Sequence, residues 1–469
     1  MAVFYMTDTV IRIDRGLKLK ILLVQSFLGR DDLDDLKVYP LGLVRLASCI
    51  TNHDVQICDL NLYKDPQAAL EKEILEYQPD LIGVSLRNID NQDRINSEFY
   101  YKYFVEIIQK IKEVGPELPL VVGGMGFSLF AHEIMKDCDA IDFGVYLEAE
   151  ETFPELLNNL ENPESFKGIY YRKNGAVEFT GRRKIKEIDS LEPVRRDYID
   201  MSLYPSRVTS IGVESKRGCS FNCIYCNYPF LSGNRIRLRK PEKVIDEIEE
   251  MVKKYGINKF IFVDPIFNFP EDHASEICSE IIKRGLNVKW GVYMDIRYAS
   301  LNFLLLARSS GYTDFIFSPD GLTDNSLKSL KKGITENDIK TIYRLFKTNE
   351  KLKDAFVVFD LLLNPPAQDL RGLMKTLWFY IMANLSLRGR GRVTVNWIRI
   401  EPGTEIHKIA IASGAMKEND SLLPKTLKDL QNTFYSHPSL KKLDAFIIFF
   451  VKTVKAIKKY ISLLLMKKD

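Results

Sequence analysis

The chain has 469 residues, 46% apolar and 28% charged, with 66 basic against 63 acidic side chains and a net charge of +3. That length points to two or three domains, and the composition excludes a disordered, collagenous or wholly membrane-embedded chain. The near balance of charge carries no polyanion signal, and no nucleic-acid module is apparent, so no nucleic acid is expected as a partner.

The first residues lack a basic stretch followed by a sustained apolar run, so no secretory signal is expected. No uncharged apolar run is long enough for a transmembrane helix, and a reducing, cytoplasmic setting follows. From Lys20 to about Leu160, short apolar strands alternate with helical patterns. Strands are expected over 19–25, 54–60, 81–86, 118–124 and 140–145, with helices over 39–50, 67–77 and 100–114 between them. Repeated βα units of this kind predict a doubly wound, Rossmann-like parallel sheet, which binds ligands beyond the carboxyl ends of its strands. Residues 161–205 break the rhythm: a hairpin turning at Asn174-Gly175 precedes a linker. A second βα series starts near residue 206, with strands over 211–216, 260–263, 288–293, 315–317, 356–363 and 393–400. Pro241 and Gly256 mark the two ends of one of its helices. Six such units predict an open or partial (β/α)6 barrel, with its chemistry at the carboxyl ends of the strands. From 416 onward the pattern is helical. The expected division is therefore 1–160, 161–205, 206–415 and 416–469.

Four of the seven cysteines stand alone, namely Cys49, Cys58, Cys138 and Cys278, which is too sparse for a disulfide scaffold. Cys219, Cys223 and Cys226 instead fall in one stretch, KRGCSFNCIYC, just after the first barrel strand. Thiolates suit iron–sulfur clusters and zinc. A structural zinc needs four ligands, and no fourth Cys or His lies in this loop. Three thiolates hold three corners of a cubane and leave one iron open. The spacing C-x-x-x-C-x-aromatic-C resembles the radical S-adenosylmethionine (radical SAM) superfamily. That resemblance implies a 4Fe–4S cluster on Cys219, Cys223 and Cys226, with S-adenosylmethionine chelating the open iron. One electron from an external reductant of the flavodoxin or ferredoxin type then cleaves the sulfonium, giving methionine and a 5′-deoxyadenosyl radical. Tyr225 would contact the adenine; its alternative role is packing under the loop. VDPIFN (263–268), KKGIT (331–335) and WIRIEPGTEIHKIAIASG (397–414) fit the layout of the same superfamily, and Arg399 in the last is taken as a cofactor contact. Where many relatives end the fourth strand with G-I-E-S, this chain reads FSPDG. Asp320 either replaces the acidic residue there or is a turn residue before Gly321.

A doubly wound domain ahead of such a barrel is similar to the cobalamin-binding domain of the superfamily's largest branch. YPLGL (39–43), SLRNIDN (85–91) and VVGGMGFS (121–128) carry the likeness. It implies cobalamin contacts from Tyr39, Ser85, Leu86, Arg87, Asn88, Gly123, Gly124 and Gly126. The glycine turn lets backbone amides approach a ligand closely, or is merely a tight turn. The D-x-H-x-x-G signature is absent, and neither His53 nor His132 is placed as a cobalt ligand. This matches the tryptophan-methyltransferase type, in which a cation such as Arg87 would face the lower side of cobalt. The alternative is that Arg87 pairs with Asp90 or Asp93. In VYLEAEE (145–151), Leu147 and Ala149 stand where relatives carry glycine, while Glu148 and Glu150 remain.

From Lys441 onward eight lysines and two aspartates give the tail +6, leaving −3 for the rest. Phe446, Phe449, Phe450, Val454, Ile457, Ile461 and Leu464 recur near one side. Such a basic amphipathic helix packs on its own domain, the favoured reading, or lies on an anionic membrane surface. The expected function is a cobalamin-dependent radical SAM methyltransferase acting on a carbon of a small molecule, amino acid or lipid in a low-oxygen setting. The alternative is a radical SAM enzyme of another class, such as cyclisation, ring contraction, carbon–carbon coupling or aminocarboxypropyl transfer. A non-enzymatic cobalamin- or metal-binding scaffold is the third reading.

Overall fold

The run KILLVQ forms strand β1 (Lys20–Gln25), with five of its six residues buried. A strand buried on both faces belongs inside a parallel sheet. In the computed structural model, which describes residues 4–6, 9–11, 18–29, 37–387, 389–436, 438–443, 446–454 and 457, it lies there. β2 (Asp54–Asp59) pairs on one side and β3 (Leu81–Ser85) on the other, followed by β4 (Leu120–Gly123) and β5 (Phe143–Val145), all parallel. Helices α1 (Leu41–Ser48), α2 (Pro66–Tyr77) and α3 (Tyr100–Val114) make the crossovers. The order 2-1-3-4-5 reverses at β1 and β3, so a crevice opens beyond their carboxyl ends. The hairpin turns at Asn174 (φ 52°) and Gly175 (φ 78°), both left-handed as a two-residue primed turn requires. Its strands β6 (Ile169–Lys173) and β7 (Ala176–Phe179) extend the same sheet antiparallel to β5.

The second sheet runs in chain order and is parallel throughout: β8 (Gly212–Val213), β9 (Lys259–Phe262), β10 (Lys289–Met294), β11 (Tyr312–Asp320), β12 (Phe356–Leu362) and β13 (Gly391–Asn396). Its helices include α4 (Pro241–Tyr255), α5 (Glu271–Lys283), α6 (Leu301–Ser309), α7 (Glu336–Thr348) and α8 (Leu370–Leu387). α4 starts on Pro241 and closes on Gly256 at φ 68°, as expected. This is the partial six-unit barrel.

Several strand bounds differ from expectation, with β11 running over 312–320 instead of 315–317 and β5 starting at 143 instead of 140, and two of the ends have a local cause. β8 stops at Val213 because the Asp264 carboxylate takes the N–H groups of Ser215 (2.8 Å) and Lys216 (3.1 Å). Lys216–Arg217 then pairs with Arg237–Leu238 instead. β13 stops at Asn396, whose side chain turns to the Gln92 carbonyl (2.6 Å) and the Arg94 N–H (3.3 Å) of the first half.

The tail helix packs, but with a different face. Ile447 and Val451 are buried, while Phe446 (64%), Phe449 (68%) and Ile457 (53%) are exposed. The run AFIIFFV is apolar all round, so periodicity alone does not select the inward side. Ile461, Leu464 and the last lysines lie outside the described residues. Among the described residues no helix is long and apolar enough to cross a membrane.

Candidate functional site

The cysteine loop begins with a backbone constraint. Gly218 sits at φ 92°, and a Cβ there would run into the Arg235 carbonyl oxygen. Only glycine meets both demands. It delivers Cys219, whose N–H donates to the Gly233 carbonyl (3.0 Å). Cys219, Cys223 and Cys226 are free thiols. Burial pushes all three up, Cys226 to about 12, while Lys332 and Arg297 pull Cys219 and Cys223 back. Protons on such buried thiols are displaced when a metal binds. Among the described residues no three His, Cys, Asp or Glu side chains are arranged to hold a single metal ion. The corners of a cubane stand apart and need no such convergence, so three thiols on one loop fit a 4Fe–4S cluster.

Polar side chains from distant strands brace this loop. The Tyr225 hydroxyl donates to Asp320, and Lys332 reaches the same carboxylate (2.6 Å). Asp320 ends β11 at φ 60°, an uncommon conformation for a side chain that is only 8% exposed. Burial works against the charge on Lys332, but Asp320 and Cys223 outweigh it and raise its pKa. Arg297 lies over the ring of Phe221, inside the loop, at 3.9 Å. Asn227, next to Cys226, donates to Glu401, which also accepts from Gln92 (2.9 Å). Burial raises the Glu401 carboxyl despite Arg399 nearby. The loop after β3 is thus tied to the cysteine loop through one carboxylate.

Arg217, immediately before Gly218, makes the second tie. It bonds Glu214 through Nε (2.8 Å) and Nη2 (2.9 Å) and pairs with Glu150 (2.8 Å) and Glu148 (3.4 Å). Arg237 joins Glu148. Leu147 stands at φ 68°, the left-handed conformation in which relatives' glycine costs nothing. Glu148 and Glu150 of VYLEAEE therefore hold the two halves together. The sequence named Glu148 and Glu150 without a partner; Arg217, Arg297 and Asn227 carried no separate signal beyond their closeness to the motifs.

At the crevice of the first sheet the loops after β3 and β4 touch. A Cβ on Gly124 (φ 103°) would lie 2.5 Å from the Leu86 carbonyl oxygen, and one on Gly126 would be 3.0 Å from the Asn88 backbone. The Gly126 N–H donates to the carbonyls of Arg87 (2.8 Å) and Leu86 (3.0 Å). These glycines thus let two loops close on each other, and the Gly126 amide is already engaged. Gly123 meets nothing closer than 3.6 Å, and Ser85 is half-buried. Leu86 is buried, whereas Arg87 and Asn88 are exposed. Arg87 has no ion-pair partner among the described residues. Asp90 is taken by Arg399 (3.1 Å) and the Gln92 N–H (2.7 Å), and Asp93 by the N–H groups of Ile95 (2.8 Å) and Asn96 (3.1 Å). Arg87 is thus an exposed, uncommitted cation at the crevice. His53 does not compete, because its Nδ1 accepts from the Leu19 N–H (3.2 Å), and His132 lies against Tyr170.

Two expected contacts are not brought to either edge. Tyr39 is 2% exposed, donates its N–H to the Ser210 carbonyl (2.8 Å) and meets the ring of Tyr204 edge-on. Arg399 is buried, paired with Asp90 and bonded to the Ile400 and Leu422 carbonyls. Arg399 joins the two halves through its side chain and Tyr39 through its backbone, while the Tyr39 hydroxyl donates to the Arg196 carbonyl (3.4 Å) in the linker.

The B12 binding domain family matches residues 35–157, and the Radical SAM superfamily matches residues 213–375. An uncharacterised methyltransferase of Pyrococcus horikoshii is 29% identical over 303 residues, 63% of this chain and 64% of its own. The anaerobic magnesium-protoporphyrin IX monomethyl ester cyclase of Cereibacter sphaeroides is 26% identical, covering 62% of this chain and 48% of its own. The chain thus spans about half of the cyclase and under two-thirds of the methyltransferase it matches. The structure of a radical S-adenosylmethionine methyltransferase, TsrM, from Kitasatospora setae, with cobalamin and 4Fe–4S cluster bound, superposes with TM-score 0.76 at 19% identity. It covers 93% of this chain and 91% of that one.

Proposed function

We propose that this chain, which belongs to the radical SAM superfamily and carries an N-terminal B12-binding domain, is a cobalamin-dependent methyltransferase acting on a substrate carbon. The observation that carries this reading is the Glu401 bridge. One carboxylate accepts from Asn227 beside Cys226 and from Gln92 in the loop that follows Arg87. The crevice of the first sheet and the cysteine loop of the second are thereby held on one rigid connection, so a methyl carrier and a radical source would share a substrate.

When bound, the cluster supplies the electron that cleaves S-adenosylmethionine, and cobalamin carries the methyl group. Cys219, Cys223 and Cys226 would hold the cluster. Tyr225, fixed by Asp320, would form one wall for S-adenosylmethionine. Ser85, Leu86, Arg87, Asn88, Gly123, Gly124 and Gly126 would line the cobalamin side, where Arg87 would present a cation instead of a metal-donor side chain. The proposal keeps the division 1–160, 161–205, 206–415 and 416–469. The substrate class is a small molecule, amino acid or lipid, and the electron comes from a flavodoxin- or ferredoxin-type protein. A low-oxygen cytoplasm is the matching setting.

The relation to the cyclase favours a second reading, in which the radical closes a ring instead. Anaerobic reconstitution with iron, sulfide and cobalamin, followed by product mass spectrometry, separates the two. Gain of one methylene supports methyl transfer, and loss of two hydrogens supports cyclisation. If S-adenosylmethionine is never cleaved, both readings fall.

A further inference from the structure

Helix α8 has two unlike faces. Leu373, Thr376, Leu377, Tyr380, Ala383 and Leu387 are buried against the sheet. The other face exposes Leu370 (55%), Met374 (59%), Trp378 (65%), Met382 (43%) and Leu385 (59%). Steps of four, four, four and three keep these side chains in one row. A continuous apolar row of this size marks a docking surface rather than ordinary surface scatter.

The border of the row is positive. α8 itself carries Arg371 and Lys375 and no acid, with Asp369 just before its first residue. Arg371 and Lys375 are exposed on α8 itself. α7 packs beside it, with the Tyr343 ring 5.5 Å from Phe379 and its hydroxyl on Ser386. Lys340 and Lys347, three residues before and four after Tyr343, are exposed on that same side of α7. The acid between the two helices, Glu336, is held by both Lys340 (2.6 Å) and Lys375 (2.5 Å).

We propose that α8 docks flat on an anionic lipid bilayer. Leu370, Met374, Trp378 and Leu385 enter the boundary between headgroups and acyl chains, and the flanking lysines and arginines meet lipid phosphates. Tryptophan favours that boundary. The helix is about 27 Å long at the usual rise and lies along the surface instead of crossing it. A second copy of this chain is the poorer occupant, because a self-complementary contact through this row would bring two cationic borders together. The proposal does not rest on the methyl-transfer reading, and it places the contact on the barrel rather than on the tail.

The test is co-sedimentation of the full chain with vesicles of phosphatidylcholine alone and of phosphatidylcholine with phosphatidylglycerol. Binding is expected only to the second and weakens as salt rises. Trp290 and Trp397 are buried, so a blue shift of emission on binding reports Trp378. The double variant Met374→Asp, Trp378→Asp keeps the fold, since both side chains are exposed, and lowers vesicle binding about tenfold or more. Phe449→Asp in the tail leaves most of the binding in place. Absence of binding to phosphatidylglycerol vesicles overturns the proposal. So does a double variant that binds like the parent while Phe449→Asp does not. A dimer seen by light scattering, dispersed by the double variant and indifferent to vesicles, assigns the row to a second copy and likewise overturns it.

Discussion

The two edges that face each other across this molecule are built in opposite ways. Around the cysteine loop nearly every charge has a partner: Tyr225 and Lys332 on Asp320, Asn227 on Glu401, Arg217 on Glu150 and Glu214. At the crevice of the first sheet, Arg87 and Asn88 are open and Arg87 has no ion pair among the described residues. A loop that must hold three thiols in fixed positions benefits from bracing that removes its freedom. A crevice that admits a large, preformed ligand needs closely packed loops beneath it and uncommitted side chains above. Gly124 and Gly126 bring those loops into contact, and the exposed Arg87 would be the second.

Variants should separate these designs. The largest effect is expected for Cys219→Ala or Cys226→Ala: iron content after anaerobic reconstitution falls from about four per chain to background, with the fold retained by circular dichroism. A variant that keeps its full iron and visible absorption would remove the cysteine loop from the site. Next, Asp320→Asn leaves Lys332 charged and nearly buried without its ion-pair partner. That loss is expected to destabilise by about 3–5 kcal/mol in denaturant unfolding, while Arg297 and Glu401 variants do less. Gly124→Ala follows, at about 2–4 kcal/mol, because the added methyl meets the Leu86 carbonyl at a strained φ. The smallest stability change belongs to Arg87→Ala, within about 0.5 kcal/mol. Its mark should instead appear in the absorption spectrum of bound cobalamin, through a water or other donor admitted to cobalt. An unchanged spectrum would break the contrast drawn between the two edges.

Acid should act on the braced half. His273 is held down to about 4 by burial and by Lys216; its Nε2 bonds to the Arg239 carbonyl (2.8 Å) and its Nδ1 is buried with no hydrogen-bond partner among the described residues. Burial opposes the charge of Glu247, but Arg196 and Arg239 outweigh it and hold the carboxyl near 2. Both groups bind protons more readily in the unfolded chain, so stability rises with pH through their range. The His273 contribution is full above its ordinary value near 6.5 and is lost as pH falls toward 4; that of Glu247 is lost below about 4.5, toward 2. Melting temperature followed from pH 7 to 4 should fall less steeply in His273→Gln than in the parent chain. Equal slopes would show that other groups control acid sensitivity.

Much of the fold was legible because its signals are local. Buried strands such as Leu81–Ser85, the Asn174-Gly175 turn, and Pro241 with Gly256 at the ends of α4 each declare themselves within a few residues. The cysteine loop is local too, so its spacing alone pointed to the cluster chemistry. Side chains whose partners come from the other half were not legible. Tyr39 and Arg399 carried a family likeness, yet Ser210, Tyr204 and Asp90 absorb them into the junction. The tail's stripe was read from periodicity, but a helix apolar on all sides takes its inward face, Ile447 and Val451, from what it packs against.

The sequence by itself determined two βα sheets, the hairpin between them and three thiols on one loop, since strand burial, turn chemistry and ligand spacing depend on neighbours along the chain. Tertiary structure alone decided which charges are satisfied and which are left open. Asp90 could serve Arg87 or Arg399, and only the packing of the last strand region against the first half gives it to Arg399. That choice leaves Arg87 free at the crevice, because a buried guanidinium without a partner is far less favourable than an exposed one.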